Sequence, residues 1–211
     1  MKQLLLLAGI LLATTATGYS QIGYGVEVGL NAGDYHVKLN GDTKKTDFKL
    51  GGRVGVIAGI PLNEDFVFQP GLLYVTNGYR ADLPGAAGSY ERYRVNTIEL
   101  PLNVQHAFGD EDEAHLFAGA GPYVAYNRNG QYHIHSGTVN SDRALKMGTW
   151  PTDDIKQMDI GVGVNGGYRL ASGLFVRLKA QLGLRNLWPD EKADVKLRNF
   201  GFCISGGYWF R

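Results

Sequence analysis

The sequence predicts an all-β fold, an eight-stranded antiparallel up-and-down barrel of the transmembrane type. Three observations predict it. After residue 21 the chain breaks into eight segments in which apolar and polar residues alternate. The connections between them are short and long in turn: 61–65, 108–113 and 171–173 are brief, whereas 32–48, 77–93, 127–154 and 187–197 are long and polar. Short turns on one side and long loops on the other are the plan of a bacterial membrane barrel, with the turns periplasmic and the loops extracellular. Third, the chain opens with a segment suited to export.

That segment comprises residues 1–20. Lys2 supplies a positive start, and Leu4 to Leu12 is an apolar run too short to cross a bilayer as a helix. Ala16 and Gly18, or Gly18 and Ser20, fit a small-x-small cleavage site, the second cutting before Gln21. A signal peptide over 1–20 and one barrel domain over 21–211 are therefore expected. Cys203 is the single cysteine, so neither an intramolecular disulfide nor a lipidated cysteine behind the signal is available. The formal charge is +1, and removing Lys2 leaves equal numbers of bases and acids, so nothing in the charge balance suggests nucleic acid. Glycine is abundant at 30 residues in 211, about twice the usual share. It stands at alternate places within the segments rather than in linkers.

The first segment, 22–31, sets Tyr24, Val26, Val28 and Leu30 against Gly23, Gly25, Glu27, Gly29 and Asn31. A period of two is a half-buried strand. The second sets Leu50, Val54, Val56, Ala58 and Ile60 against Gly51, Arg53, Gly55 and Gly59. The third, 66–76, opposes Phe68, Leu72 and Tyr74 to Gln69 and Gly71. Pro70 lies within it and lacks an amide hydrogen, which predicts a bulge or local irregularity. The fourth, 95–106, opposes Ile98, Leu100, Leu102 and Val104 to Glu99, Asn103 and Gln105. The fifth, 116–126, is blurred by alanine and glycine. The sixth opposes Met158, Ile160, Val162 and Val164 to Asp159, Gly161, Gly163 and Asn165. The seventh is the clearest, with Leu174, Val176, Leu178, Ala180, Leu182 and Leu184 against Arg177, Lys179, Gln181, Gly183 and Arg185. The eighth sets Phe202, Ile204, Tyr208 and Phe210 against Gly201, Ser205 and Gly207. Each is near the roughly 9–11 residues of a tilted spanning strand.

Alternation alone does not say which face is inside. The apolar face is assigned to lipid because the other face mixes glycine with charge, as a narrow lumen requires. The aromatic residues Tyr24, Phe66, Tyr74, Tyr208 and Phe210, with Tyr126 and Tyr168, also gather near segment ends, where interfacial girdles belong. A closed barrel leaves no open sheet edge in lipid. The outer membrane is the expected location and its lipid the expected partner.

The chain resembles the PorT-like outer-membrane β-barrels of Bacteroidetes. The stretches that carry the resemblance are Phe68-Gln69-Pro70-Gly71-Leu72-Leu73-Tyr74, Ile98-Glu99-Leu100-Pro101-Leu102, Phe117-Ala118-Gly119-Ala120-Gly121-Pro122-Tyr123, Asp159-Ile160-Gly161 and Gln181-Leu182-Gly183-Leu184-Arg185-Asn186-Leu187. Gly71 departs from the pattern, standing where the family often carries an acidic residue. The resemblance implies eight strands, the outer membrane and, by analogy with relatives, envelope or secretion-complex proteins as partners. It implies no single activity.

The inward face predicts a polar network of Glu27, Arg53, Glu99, Asp159, Arg177, Lys179 and Arg185, whose opposite charges should pair because a lone buried charge is very costly. His133 and His135 lie two apart in the longest loop. They form at most a weak Zn²⁺ or Cu²⁺ site, with Asp142, Asp153 and Asp154 as further donors. No catalytic set is expected: neither Ser136 beside His135 nor His115 near Asp112 supplies a nucleophile, a base and an orienting acid together. No cofactor is expected. The acidic run 110–113 reads as a solvated turn, and Trp150-Pro151 and Trp188-Pro189 as rigid sites at loop bases. The expected role is a non-enzymatic interaction, assembly or envelope component with a plugged lumen. A narrow small-solute or ion channel is the alternative, and a lipid-acting enzyme a more distant one.

Overall fold

The structure, a computed structural model, describes residues 22–39, 42–44, 47–83, 88–110, 113–137, 139–190 and 195–210. The segment read as a signal peptide lies outside the described residues, as do Glu111 and Asp112 of the acidic turn. The strands are β1 (Gly23–Leu39), β2 (Asp42–Lys44), β3 (Asp47–Pro61), β4 (Phe66–Asp82), β5 (Tyr90–Phe108), β6 (His115–Ser136), β7 (Val139–Ala144), β8 (Met158–Arg169), β9 (Leu174–Gly183) and β10 (Val195–Phe210). Eight of them form a closed antiparallel ring in the order β1, β3, β4, β5, β6, β8, β9, β10, and β10 pairs back onto β1 from Tyr24↔Phe210 to Leu39↔Val195. β2 and β7 are ribbons added to the far ends of β1 and β6.

A circuit of cross-strand partners fixes the tilt. From Asp159 it passes through Ala125, Glu99, Leu73, Gly55, Glu27, Gly207 and Phe175, and it returns to β8 at Arg169, ten residues from its start. Closing eight strands with that stagger requires them to lean against the barrel axis.

The faces divide by polarity in the sense opposite to a soluble barrel. Val28, Leu178 and Leu50 stand on the outside with 63%, 63% and 73% of their surface exposed, while Glu27, Glu99 and Asp159 inside keep 2% or less. Val26, Val176 and Ile204 also face out, and Arg177 faces in. An aliphatic belt round a polar interior is stable only when the surroundings are lipid. β6 obeys the same alternation, pointing Leu116, Ala118, Ala120 and Pro122 outward and Phe117 and Tyr123 inward. Its periodicity is faint in sequence because small residues occupy both faces.

The alternate glycines have a steric cause. Gly167 pairs directly with Phe117, Gly207 with Phe175, Gly161 with Tyr123 and Gly25 with Trp209. In each pair the ring lies over the glycine, so that a Cβ there would overlap it. Four large rings thus fit a narrow lumen because their partners have no side chain.

Three expectations are corrected. The long connections are in large part strand: β1, β4, β5, β6 and β10 run past the aliphatic belt to Leu39, Asp82, Tyr90, Ser136 and Val195. Beyond the belt the outer face turns polar and the inner face mixes tyrosines and scattered aliphatics with polar residues, so hydrogen-bonded ladders continue without a regular alternation to announce them. Pro70 makes no bulge, and the local irregularity expected there is a gap instead: the ladder runs Pro70↔Leu102 and resumes at Leu73↔Glu99 in unchanged register. Pro101 stands 3.2 Å from where a Cβ on Gly71 would lie, so the two missing donors fall together and the ladder skips without slipping. The bulges lie elsewhere. Residues 49–52 of β3 face only 76–78 of β4, and Arg128 of β6 is the extra residue between Asn127↔Thr97 and Asn129↔Asn96. The second bulge inverts the parity of β6, so Gly130 and Tyr132 turn inward and His133 and His135 outward. Third, Arg185 lies past the end of β9 and does not join the lumen network.

Candidate functional site

The lumen holds most of the polar residues picked out by parity. Arg177 of β9 donates from Nη1 to Glu27 Oε2 of β1 at 2.6 Å and from Nη2 to Gln69 Oε1 of β4. Arg53 of β3 lies between two acids, with Nε 3.2 Å from Glu27 Oε1 and Nη2 3.7 Å from Glu99 Oε1. Lys179 Nζ meets Glu99 Oε1 at 2.7 Å, and Gln181 Nε2 donates to Glu99 Oε2 at 3.2 Å. The chain Gln69–Arg177–Glu27–Arg53–Glu99–Lys179 therefore crosses the barrel between five strands, and its charged side chains are at most 6% exposed. Asp159 sits apart from this chain and accepts from Tyr123 Oη at 3.0 Å and Asn199 Nδ2 at 3.4 Å. Arg185 does not join. β9 ends at Gly183, so the side chain lies at the rim and donates to the Met158 carbonyl at 3.3 Å.

Apolar clusters close the space on both sides of the network. At the short-turn end Ile57, Phe117 and Phe175 pack with Trp209. The Arg177 guanidinium lies 5.2 Å from the centre of the Phe175 ring and 5.4 Å from that of Phe117, which joins network to plug. A cavity of about 50 Å³ remains at this mouth, between Gln105, His115 and Trp209. At the opposite end Leu145, Met147, Ile155, Leu187 and Trp188 fold over the inward faces of Tyr35, Tyr93, Val95, Tyr132 and Leu197.

This lid is tied down by backbone and side chain. Leu145 N donates to Gly130 O at 2.9 Å, and Lys156 N to Leu187 O at 2.9 Å. Asn186 Oδ1 accepts from Trp188 N and Leu197 N at 3.1 and 2.8 Å. Arg143 forks onto Asp154 at 2.7 and 2.8 Å, and Lys146 N donates to the same carboxylate at 2.9 Å. Those contacts hold the Asp154 carboxyl below the usual carboxylate range. Sequence reading missed the lid, whose apolar residues share no period. It also passed over Tyr123 and Asn199, which the inward parity of their strands would have flagged.

His133 Nδ1 bonds Asp142 at 2.7 Å and His135 Nδ1 bonds Asn140 at 2.6 Å, both on the outer wall. Asp153 caps Trp150 N at 2.8 Å and Asp154 is committed to Arg143. Among the described residues no three His, Cys, Asp or Glu side chains converge on a metal position. Ser136 is exposed at the hairpin tip, one residue from His135. His115 is buried at the short-turn end with Nδ1 against the Glu113 carbonyl at 2.9 Å. Tyr24, Phe66, Tyr208 and Phe210 face outward around the short-turn end, where Tyr208 and Phe210 meet edge to face at 5.0 Å. Tyr74 and Tyr126 face outward near the other edge of the aliphatic belt. Trp150 is 75% exposed at the apex of a turn, whereas Trp188 packs into the lid.

Residues 14–188 match the family described as outer membrane protein beta-barrel domain. Among solved structures the chain is similar to Ail, the attachment invasion locus protein of Yersinia pestis, at 10% identity and a TM-score of 0.43, covering 89% of this chain and 98% of that one. It is similar to Neisserial surface protein A at 12% identity and a TM-score of 0.43, over 89% and 97% of the two chains. It is also similar to the outer membrane protein OprG of Pseudomonas aeruginosa at 9% identity and a TM-score of 0.44, over 92% and 98%. No curated protein matches.

Proposed function

The chain belongs to the outer membrane protein beta-barrel domain family and resides in the cell outer membrane, and from that premise we propose that it is a non-enzymatic barrel with a closed lumen, acting as an interaction or assembly component of the envelope. The observation that carries this reading is the layered interior. A charged layer lies between two apolar ones, and every carboxylate oxygen of Glu27 and Glu99 faces a cation or an amide. A conduit needs a continuous wet path, and a catalytic acid needs access to substrate. The order of motifs from Phe68-Gln69-Pro70 to Arg185-Asn186-Leu187 supports placing the chain with the PorT-like barrels of Bacteroidetes. A role beside secretion or envelope proteins is what that placement suggests. Contacts would then be made by the strand extensions and the lid outside the membrane, because the lumen has no room for them.

Conductance in planar lipid bilayers tests the reading. The purified full chain should insert without discrete current steps over a wide voltage range. Regular single-channel steps from the wild-type protein would replace this reading with that of a narrow channel.

A further inference from the structure

The outer wall above the aliphatic belt is not neutral. On β4 and β5 the lipid-facing parity continues past Tyr74 and Ile98 into Thr76, Asn96, Arg94, Arg92 and Arg80. Arg80 and Arg92 are direct cross-strand partners, and Arg92 is also the partner of His133. Like charges set opposite one another on a sheet are unfavourable unless something neutralises them. Among the described side chains little does so. Arg80 reaches Asp82 only at 3.7 Å, with both side chains largely exposed. Among the described residues no carboxylate lies within ion-pair distance of Arg92 or Arg94. The guanidinium of Arg80 instead lies over the Tyr90 ring, its Cζ 4.0 Å from the ring centre.

Below this basic row the wall is shaped. The β3 bulge opens a groove of about 750 Å³ lined by Leu30, Leu50, Arg94, Asn96, Asn129 and Gln131, among others. Its amides are already aligned, with Thr76 Oγ1 donating to Asn96 at 3.0 Å and Asn96 Nδ2 to Asn129 at 2.8 Å. The groove is thus apolar on the side of the belt and polar, then cationic, on the side of the long hairpins. An amphiphile matches that sequence of surfaces, and a soluble anion does not, because it leaves Leu30 and Leu50 uncovered.

We propose that this groove, with Arg94 and Arg92 at its head, binds the phosphate-bearing headgroup of an outer-leaflet lipid whose acyl chains lie along Leu30 and Leu50. The phosphate is held by guanidinium forks, which bind phosphate oxygens in pairs. The proposal goes beyond the closed-lumen reading and stands whether or not the barrel conducts.

The test uses the full chain in zwitterionic detergent and counts bound lipid by native mass spectrometry. The probes are diphosphoryl lipid A, the same glycolipid after enzymatic removal of its phosphates, and inorganic phosphate. The wild-type protein should retain the diphosphoryl form and release the dephosphorylated one. The double variant Arg92→Gln/Arg94→Gln should bind the diphosphoryl form about tenfold more weakly, the effect of losing one or two charge-assisted contacts. Arg92→Lys/Arg94→Lys should keep part of the affinity, and Lys146→Gln, which removes a positive charge from the lid instead, should keep all of it. Unchanged binding by the glutamine variant, or equal retention of the dephosphorylated lipid, overturns the proposal. Complete displacement by excess inorganic phosphate also overturns it, since the ligand would then be a free anion rather than a lipid.

Discussion

Glu99→Ala probes the lumen at its most connected point. The Glu99 side chain is 1% exposed and faces Lys179 at 2.7 Å, Gln181 at 3.2 Å and Arg53 at 3.7 Å. The consequences for the two cations differ. Arg53 keeps Glu27 at 3.2 Å, whereas Glu99 is the only carboxylate within ion-pair distance of Lys179 among the described residues. Lys179 is left charged in a dry space, and breaking one member out of a buried pair costs about 3–5 kcal/mol. Glu99→Gln, which keeps an oxygen for Lys179, should fall between wild type and alanine. Glu99→Ala/Lys179→Met removes both charges and should regain much of the loss, with a coupling energy of about 1–3 kcal/mol in the double-mutant cycle. The assay is equilibrium urea unfolding in phosphatidylcholine vesicles, followed by tryptophan fluorescence. A Glu99→Ala protein within about 1 kcal/mol of wild type, or a cycle that is additive, refutes a dry ion pair: either outcome means that water reaches Lys179.

Leu178 is outward-facing near the middle of β9, so Leu178→Arg should destabilise the barrel by about 2–4 kcal/mol in vesicles, whereas Ser141→Arg on the exposed β7 ribbon should change stability by almost nothing; equal effects would mean that the aliphatic face does not meet lipid. The lid should loosen in acid. The Asp154 carboxyl is held low by Arg143, so its contribution is complete above the unfolded carboxylate value near 4 and is lost as pH falls through the lower folded value. In a Trp150→Phe/Trp209→Phe background, which leaves Trp188 as the single tryptophan, acrylamide quenching should therefore rise below about pH 4, and Asp154→Asn should show the rise already at neutral pH. Quenching that is independent of both changes would exclude the Arg143–Asp154 contact as the latch.

What could be read in the sequence was whatever the bilayer imposes. Lipid demands an apolar residue at every second place, so β9 announces itself from Leu174 to Leu182, and the inward parity brings Glu27, Arg53, Glu99, Arg177 and Lys179 to one layer. The reading failed where that demand ends. Arg185 keeps the parity of β9 in sequence but lies two residues beyond its last residue, so parity no longer states where the side chain goes. His133 and His135 lie beyond Arg128, and a single unpaired residue had already exchanged the faces of β6. Leu145, Ile155 and Leu187 cap the lumen from irregular segments, where burial depends on the path of the chain rather than on a period.

The same limits bear on where function can reside. Within the belt the outer face is fixed by lipid, and the inner face is fixed by the need to pair charges and to seat rings over glycines. Phe117 over Gly167, Phe175 over Gly207 and Tyr123 over Gly161 each bar a side chain at the facing glycine. Past the belt neither constraint holds, yet the ladders persist over Tyr79↔Tyr93 to Asp82↔Tyr90 and over Tyr90↔His135 to Asn96↔Asn129. Strands that need no aliphatic face can carry Arg80, Arg92, Tyr90 and His133 on their outer side at little cost to the fold, while hydrogen bonding keeps those side chains in register. The rigid interior anchors the barrel, and the ordered extension beyond it is the part free to recognise something else.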